Sequence, residues 1–334
     1  MELINFDESH IPMALQLAKE NYEMERKHVT MLPEIVTLPD MRYFIERGTG
    51  FAAVEGERLM GYLCAYPPRD DDFGTTNVRG TYVPVHAHGV SLLCSGEERA
   101  RIYSLLYQAA AEKWVEAGIR SHTIALYTHD QAGVKSFFYN GFGLRCLDLI
   151  RSLDEIPTAI EVAHPDHSKL EYTELFRDEW IQLLDQHNAL LKHLGSSPSF
   201  LYYMPFDEAG LYNHAGEDVR YFAAKVSGRY VAYIKTSHCG ENFATEVDVM
   251  LNICGAFCEP EYRGTGVYHN LLCHVMKVIK SEGYLLLGVD CESFNPTARG
   301  FWTKYFTVYT YSVVRRIDEK AVDMATTTKL QCNV

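Results

Sequence analysis

The sequence is short of basic residues. It has 31 lysines and arginines against 44 aspartates and glutamates, and its formal net charge at pH 7 is -13. Proteins that bind nucleic acid cluster Lys and Arg against the phosphates, so this balance argues against nucleic acid as a partner. An acidic surface favours the approach of a cationic acceptor, although it serves solubility equally well. We expect a small-molecule or peptide amine as the partner.

Long apolar runs are missing as well. The stretch 285–289 is among the longest, whereas a membrane-spanning helix needs about 20 apolar residues. Residues 1–8 have neither the basic group nor the apolar core of a signal peptide. We expect a cytoplasmic protein without membrane contact, and the sequence leaves monomer and homodimer open.

Cysteine pairs of the kind that bind zinc are absent. The nine cysteines are odd in number and contain no CxxC spacing. Cys254 and Cys258, with His269, Cys273 and His274 further on, offer thiols and imidazoles, but the first two fall inside a strand-like run. We therefore expect reduced thiols and no metal.

Two segments of the chain share a spaced pattern of Phe-Ala-Ala, Arg and Tyr. The first copy consists of Phe51, Ala52, Ala53, Arg58 and Tyr62, and the second of Phe222, Ala223, Ala224, Arg229 and Tyr233. Each residue of the second copy stands 171 positions after its counterpart (222 − 51). Both copies read as two short strands around a polar turn, which predicts a β-hairpin in each half.

A second correspondence follows at an offset of 165 (283 − 118). Gly118 and Gly283 each end a helical pattern, where a glycine suits a helix C-cap. A strand comes after each glycine, and then Asp130 or Asn295 precedes an aromatic-rich helix. Two matches in the same order indicate a duplication.

Each half therefore reads as a mixed α/β domain. The expected order is helices, a hairpin, a further strand, a helix, a strand, a helix and a last strand. We expect an N-terminal domain over 1–155 and a C-terminal domain over 166–334, joined by a segment that bears proline and histidine.

The segment EPEYRGTGVY at 259–268 follows an apolar, strand-like run and opens a helix. An arginine supplies positive charge, the glycines let the backbone approach an anion closely, and a helix start presents free amides. A surface turn would use the same residues, but the strand–loop–helix context favours a pyrophosphate site. The residues expected to hold it are Arg263, Gly264, Thr265, Gly266, Val267 and Tyr268.

Segment 249–306 resembles the core of the GCN5-related N-acetyltransferase (GNAT) superfamily. The common form Pro-x-x-Arg-Gly-x-Gly is matched from Pro260 to Gly266, and Asn-x-x-Ala recurs at Asn295. Glu261 departs from the arginine or glutamine that usually begins the loop. The first half shares the resemblance through the repeat.

The resemblance implies two tandem GNAT-like acyl-CoA N-acyltransferase domains of mixed α/β class. It further implies an acyl-CoA, acetyl-CoA by default, as co-substrate, and direct transfer to a primary amine in a ternary complex. The pantetheine arm would lie against the backbone of the strand before the loop, near Ala256 and Cys258. Asn295 would stand beside the cofactor.

The first half offers poor material for a second site. Gly96 is followed there by Glu97 and Glu98, which would repel a pyrophosphate, so we expect a degenerate site. His86 and His88 alternate as a candidate metal or acid–base pair, but a polar pocket wall or a surface strand is the simpler interpretation.

Catalytic groups are harder to assign from the sequence. By a strict period of two, Asn252, Asp248 and Glu246 lie on the same strand face as Ala256 and Cys258. We take Asp248 as the first choice of base and Glu246 as the second. The alternative is that both are exposed carboxylates at the start of the strand, without a catalytic role. The family's general acid, a tyrosine seven positions after the asparagine, corresponds to Trp302. Tyr305 lies a helical turn on and is a weak substitute, with core packing as its alternative.

Two other functions compete with acyl transfer. A catalytically silent acyl-CoA-binding or sensor protein is favoured by the residues at the expected base and acid positions, Asn252 and Trp302. A transferase that uses aminoacyl-tRNA is disfavoured by the acidic net charge.

Overall fold

The computed structural model of the protein describes residues 1–34, 37–71, 78–163, 169–216 and 218–324. The helices are α1 (Ile11–His28), α2 (Arg42–Arg47), α3 (Gly96–Glu116), α4 (Gln131–Tyr139), α5 (Leu184–Leu194), α6 (Glu208–Ala215), α7 (Val267–Ser281) and α8 (Pro296–Trp302). The strands are β1 (Glu2–Asn5), β2 (Thr49–Glu55), β3 (Arg58–Ala65), β4 (Gly80–Val83), β5 (His88–Val90), β6 (Ser121–Tyr127), β7 (Gly143–Ser152), β8 (Leu170–Leu175), β9 (Arg220–Val226), β10 (Arg229–Ser237), β11 (Met250–Cys258), β12 (Leu286–Glu292) and β13 (Thr307–Arg316). None of the helices in these ranges combines the length and the apolar character needed to cross a membrane.

The two predicted hairpins are present and have the same register. In β2–β3, Ala52 stands opposite Tyr62, and in β9–β10, Ala223 stands opposite Tyr233. Both alanines and both tyrosines are buried. A small residue facing a large aromatic one across an antiparallel pair is a packing unit that sets register, which explains why the spacing recurs in the sequence.

The chain divides into two compact units, residues 1–148 with 308–334, and residues 149–307. The first unit contains a sheet of order β1-β2-β3-β5, and a group in which β6 lies between β4 and β13. Helix α3 packs on β2 and β3 and against α4. Its buried residues recur at helical spacing, from Ile102 and Leu106 to Ala110 and Trp114, and this apolar stripe holds the helix on the sheet.

The second unit is built on strands in the order β12-β11-β10-β9-β8. Strand β10 is buried along nearly its whole length, because helices cover both of its faces. Helix α7 packs on β9 and β10 with a buried stripe that includes Val267, Leu271, Val275 and Ile279. The phosphate loop predicted from the sequence connects β11 to this helix.

The compact units differ from the expected repeat boundaries at the C-terminal end. Strand β13 pairs antiparallel with β6, from Thr310 opposite Tyr127 to Arg316 opposite Ser121, so residues 308–334 belong to the first compact unit. Sequence order alone placed this strand with its own half. The end of the predicted join, Pro165 to His167, lies outside the described residues.

The residues that begin and end the helices of the repeat also have their predicted conformations. Gly118 and Gly283 have φ of +78° and +100° after α3 and α7, the left-handed conformation that favours glycine. Asp130 caps α4 by accepting the Gly133 amide at 3.1 Å, and Asn295 caps α8 by accepting the Ala298 amide at 3.3 Å.

Candidate active site

The start of α7 presents a cluster of main-chain amides. Gly264 and Gly266 have φ of +75° and +95°, which turns the loop so that its N–H groups and those of the helix start converge. Helix α7 has no side-chain cap. Among the described residues, the amides of Gly264, Gly266, Val267, Tyr268 and His269 donate to no acceptor. Such a cluster, at the positive end of a helix dipole, is suited to bind an anion.

Arg263 adds a full positive charge beside these amides. Its Nε donates to the Cys258 carbonyl oxygen at 2.9 Å, and its guanidinium carbon stands 5.6 Å from the centre of the Phe257 ring. One nitrogen and one ring face thus orient the group, and the remaining N–H donors are available to an anion. Thr265 is different, since both its amide and its hydroxyl donate to the Tyr262 carbonyl oxygen.

The strand before the loop separates from its parallel neighbour. Pairing between β11 and β12 ends at Ile253 opposite Val289, whereas β11 continues to Cys258 and β12 to Glu292. Beyond that pair the facing edges of the two strands have no ladder between them. The described strands therefore leave a gap beside the strand against which the family resemblance places the pantetheine arm.

The backbone of β11 faces the resulting gap at alternate residues. The Glu259 amide donates to the Val231 carbonyl oxygen at 2.9 Å. In an antiparallel ladder, every second residue directs both of its backbone groups to the same neighbour, so Ala256 and Cys258 direct theirs away from β10 and into the gap. Ala256 and Cys258 are the positions at which the family resemblance places the pantetheine arm.

A cavity of about 660 Å³ connects these features. The amide cluster lies at one part of its wall, the gap beside β11 at another, and α8 closes a third side. Its lining includes Ala256, Cys258, Arg263, Gly264, Gly266, Tyr268, His269, Asn295, Trp302 and Tyr305. No aspartate or glutamate lines it among the described residues. Thr265 and Val267 contribute no side chain to the wall.

Trp302 and Tyr305 both line the cavity, although α8 ends at Trp302 and Tyr305 lies in the following turn. The Tyr305 hydroxyl lies 2.8 Å from His269 Nδ1, and His269 Nε2 lies 2.9 Å from the Thr158 carbonyl oxygen. Since a carbonyl can only accept, Nε2 carries a proton, and in the neutral imidazole Nδ1 then accepts from the Tyr305 hydroxyl. Burial raises the pKa of Tyr305.

The strand geometry assumed for Asp248 and Glu246 is wrong. Strand β11 begins at Met250, and both carboxylates are exposed in the turn before it. They do not line the cavity. A catalytic role for either one stays a prediction.

Asn252 does not share a face with Ala256 either. In the pairing of β10 with β11, Lys235 stands opposite Gly255, but the next residue, Thr236, stands opposite Ile253. Cys254 is therefore an extra residue on β11, a β-bulge. Such a bulge reverses the alternation of side chains. Ile253 therefore shares the face of Ala256, and a strict period of two could not have revealed this.

A group of carboxylates lies near the end of β12. Glu241 is an exposed residue, but partial desolvation of its carboxyl group, followed by the charges of Glu246 and Glu292, raises its pKa. Glu292 is the last residue of β12, so the loop that carries Glu241 and Glu246 approaches the strand end from which α8 continues. A cationic amine would be favoured there.

Residues 157–163, here named the linker strap, lie along the start of α7. The Asn270 side chain accepts the Ile160 amide at 2.9 Å and donates to the Ile160 carbonyl oxygen at 2.8 Å. The Ala163 amide donates to the Thr265 carbonyl oxygen at 2.9 Å. The strap places Ile160 in the cavity wall. Sequence reasoning missed this contact, because nothing local to the loop indicates it.

The first unit differs from the second at the start of its corresponding helix, α3, and beside its parallel strands. The Ser95 hydroxyl accepts the Glu98 amide at 3.2 Å, and the Glu98 carboxylate accepts the Ser95 amide at 2.8 Å. His86 and His88 are buried, and His88 Nε2 lies 2.6 Å from the Ala125 carbonyl oxygen on β6. Both histidines thus lie in the interior. This excludes a surface strand and is compatible with the other interpretation, a polar pocket wall.

Comparison with known proteins agrees with this architecture. Residues 173–306 match the model of the acetyltransferase (GNAT) family. A GCN5-related N-acetyltransferase from Sphaerobacter thermophilus is similar over 94% of this chain and 95% of its own, at 13% identity and a TM-score of 0.57. The glucosamine N-acetyltransferase region of a fungal multi-domain GH3 β-N-acetylglucosaminidase is similar over 94% of this chain and 38% of that one, at 13% identity and a TM-score of 0.53.

No curated protein matches the chain significantly. At these identities the structural likenesses concern the fold, and they confirm the predicted GNAT-like mixed α/β class.

Proposed function

We propose that this protein transfers an acyl group, acetyl by default, from acyl-CoA to a primary amine, because residues 173–306 match the model of the acetyltransferase (GNAT) family. The acceptor is a small molecule or a peptide, and transfer is direct, within a ternary complex. The second unit performs the chemistry.

The observation that carries the proposal is the amide cluster beside the cavity. The unpaired amides of Gly264 and of residues 266–269, together with Arg263, suit a diphosphate. The backbone groups of Ala256 and Cys258 face the gap that leads away from it, where a pantetheine arm would form strand-like hydrogen bonds. Asn295 lines the same cavity.

Amine acylation by a thioester requires placement above all. The amine nitrogen attacks the carbonyl carbon, the C–N bond forms, the C–S bond breaks, and a base takes the proton that the nitrogen loses. Holding both reactants in position lowers such a barrier by up to roughly 7–11 kcal/mol. A main-chain amide facing the gap can stabilise the charge that develops on the carbonyl oxygen.

For the base we favour Glu246 over Asp248. Glu246 is exposed and outside the cavity wall, but after partial desolvation its charge and that of Glu292, the last residue of β12, raise the pKa of Glu241.

A silent acyl-CoA sensor is the second candidate. It is favoured by Trp302 at the position where the family carries its acid, and by a cavity wall without a carboxylate in the described residues. Binding without turnover would identify it.

The test is acetyl-CoA binding by calorimetry, followed by thiol release with a panel of amines. Arg263→Glu should weaken binding at least 100-fold, because it places a carboxylate against the diphosphate. Arg42→Glu is the matched control, since Arg42 is an exposed residue that pairs with Asp40 in the first unit, and the same charge change there should leave affinity unchanged.

Equal affinity in Arg263→Glu and the unaltered protein would show that the site is misplaced. Tight binding with no thiol release for any amine would favour the sensor.

A further inference from the structure

The linker strap is bound to the first turn of α7 through its backbone. The Asn270 carboxamide accepts the Ile160 amide at 2.9 Å and donates to the Ile160 carbonyl oxygen at 2.8 Å. His269 Nε2 lies 2.9 Å from the Thr158 carbonyl oxygen. Asn270 is buried, and both ends of its carboxamide have a partner in the strap, so these bonds fix the strap on the helix.

The side chain of Ile160 is exposed although its backbone is held in place. It is 52% exposed and lines the cavity. A β-carbon added to Gly266 would stand 3.2 Å from Ile160 Cγ1, so the side chain lies directly against the phosphate loop. A single exposed isoleucine on a protein surface is ordinary. One that is fixed in the wall of a ligand cavity presents apolar area that a bound ligand removes from water, which favours binding.

The two ends of a bound diphosphate leave the phosphate loop on different sides. On the strand side, the backbone groups of Ala256 and Cys258 face the gap in which a pantetheine arm would lie. On the helix side lie Gly266 and His269, and the strap contacts both of these residues. In CoA the group at the other end of the diphosphate is adenosine. Ile160 therefore lies on the side where the nucleoside has to leave the loop.

The cavity offers little other aliphatic surface for this group. Among the described lining residues, the other large aliphatic side chain is that of Leu190. Leu190 lies on α5, which contacts β11, and it is therefore on the strand side. An adenine ring is flat, and its faces pack well on apolar side chains.

We propose that the linker strap forms part of the nucleoside subsite, with the Ile160 side chain packed against the adenine ring of acyl-CoA. The inference rests on the proposed function and adds to it a contact for the nucleotide end of the co-substrate. It gives the segment between the two repeats a direct part in ligand binding, and Asn270 holds that segment in place.

The first experiment measures CoA affinity by calorimetry in two truncated variants. Ile160→Ala shortens the side chain in the cavity wall. Leu285→Ala is the matched control, because Leu285 is an aliphatic residue of the same unit, 56% exposed and outside the cavity lining. Affinity should fall about tenfold in Ile160→Ala, because apolar contact with the ligand is lost, and should stay unchanged in Leu285→Ala.

The second experiment identifies the part of the ligand that Ile160 contacts. Etheno-CoA has a fluorescent adenine ring, and acrylamide quenching of its saturated complexes reports how far the solvent reaches that ring. The bound ring should be shielded in the unaltered protein and in Leu285→Ala, and more accessible in Ile160→Ala. A strap that only stabilises α7 would leave the accessibility of the bound ring unchanged.

Equal CoA affinity in Ile160→Ala and the unaltered protein would overturn the inference and leave the proposed function standing. A bound ring that acrylamide reaches equally in these two proteins would do the same. No CoA binding by the unaltered protein would overturn the proposed function and the inference together.

Discussion

Helices α3 and α7 occupy corresponding places in the two halves but begin in opposite ways. The start of α3 is closed by its own side chains, because Ser95 and Glu98 bond each other's backbone amides. The start of α7 follows two glycines and has no side-chain cap. One helix end has satisfied its donors internally, with two acids in its first turn, and the other leaves them for an anion.

The two units also differ in the gap between their parallel strands, β4 and β6 in the first unit and β11 and β12 in the second. Pairing of β4 with β6 ends at Val83 opposite Ile124, and the His88 side chain then reaches the Ala125 carbonyl oxygen at 2.6 Å. In the second unit the gap beyond Ile253 is lined by backbone and opens into the cavity.

The charged groups follow the same contrast. In the first unit Arg99 is buried against Asp130 at 2.9 Å, whereas Arg263 in the second is free to meet a ligand with most of its donors. The difference teaches that a shared scaffold becomes a binding site where its polar groups are left without internal partners.

The largest expected effect comes from breaking the buried ion pair of the first unit. Arg99→Ala leaves the partly buried Asp130 carboxylate without its cation, with only the Tyr103 hydroxyl and the Gly133 amide as donors, which should reduce the free energy of unfolding by about 3 kcal/mol. Acetyl-CoA affinity of the folded protein should not change. Denaturant unfolding and calorimetry measure the two quantities, with Arg42→Ala as an exposed control. A loss of affinity comparable to that of Arg263→Glu would mean that the first half also binds the co-substrate.

Acid should loosen the first unit before the second. Burial above all lowers the pKa of His86 to about 4 and of His122 to about 3, and it lowers the pKa of His88 as well. At pH values below 6.5, the ordinary pKa of histidine, these side chains are protonated in the unfolded state but remain neutral in the folded state. Stability therefore falls as pH drops from 6.5 towards 4, by up to about 1.4 kcal/mol per pH unit for each such histidine.

Hydrogen exchange at pH 7 and pH 5 checks this order. Strand β6 and the segment around His88 should gain exchange before β10 and β11. Earlier exchange in β10 would contradict the prediction.

The smallest effect concerns the glycines at the two helix starts. Gly266→Ala should cost about 1–2 kcal/mol, since φ is +95° and the added Cβ would stand 3.1 Å from the Glu161 carbonyl oxygen. Gly96→Ala meets no atom within 4 Å and has ordinary helical backbone, so it should cost nothing. Thermal unfolding of both variants makes the comparison. Equal shifts in melting temperature would show that the α7 loop is not constrained as described.

Local features could be predicted from the sequence because their causes are local. The glycine pair before α7, the caps Asp130 and Asn295, and the small–aromatic pairing of each hairpin depend on neighbours within a few residues or on one adjacent strand. The base could not be predicted in the same way. Its assignment relied on counting along β11, and the extra residue Cys254 breaks that count where β11 meets β10.

The sequence by itself determined the α/β class, the backbone form of the candidate anion-binding loop and the half that carries it, since periodicity, capping and glycine placement act at short range. Tertiary structure alone decided which polar groups stay unpaired. Tyr305 is committed to His269, and the linker strap covers the start of α7, because these contacts join segments far apart in the chain, and no pattern of neighbours encodes them.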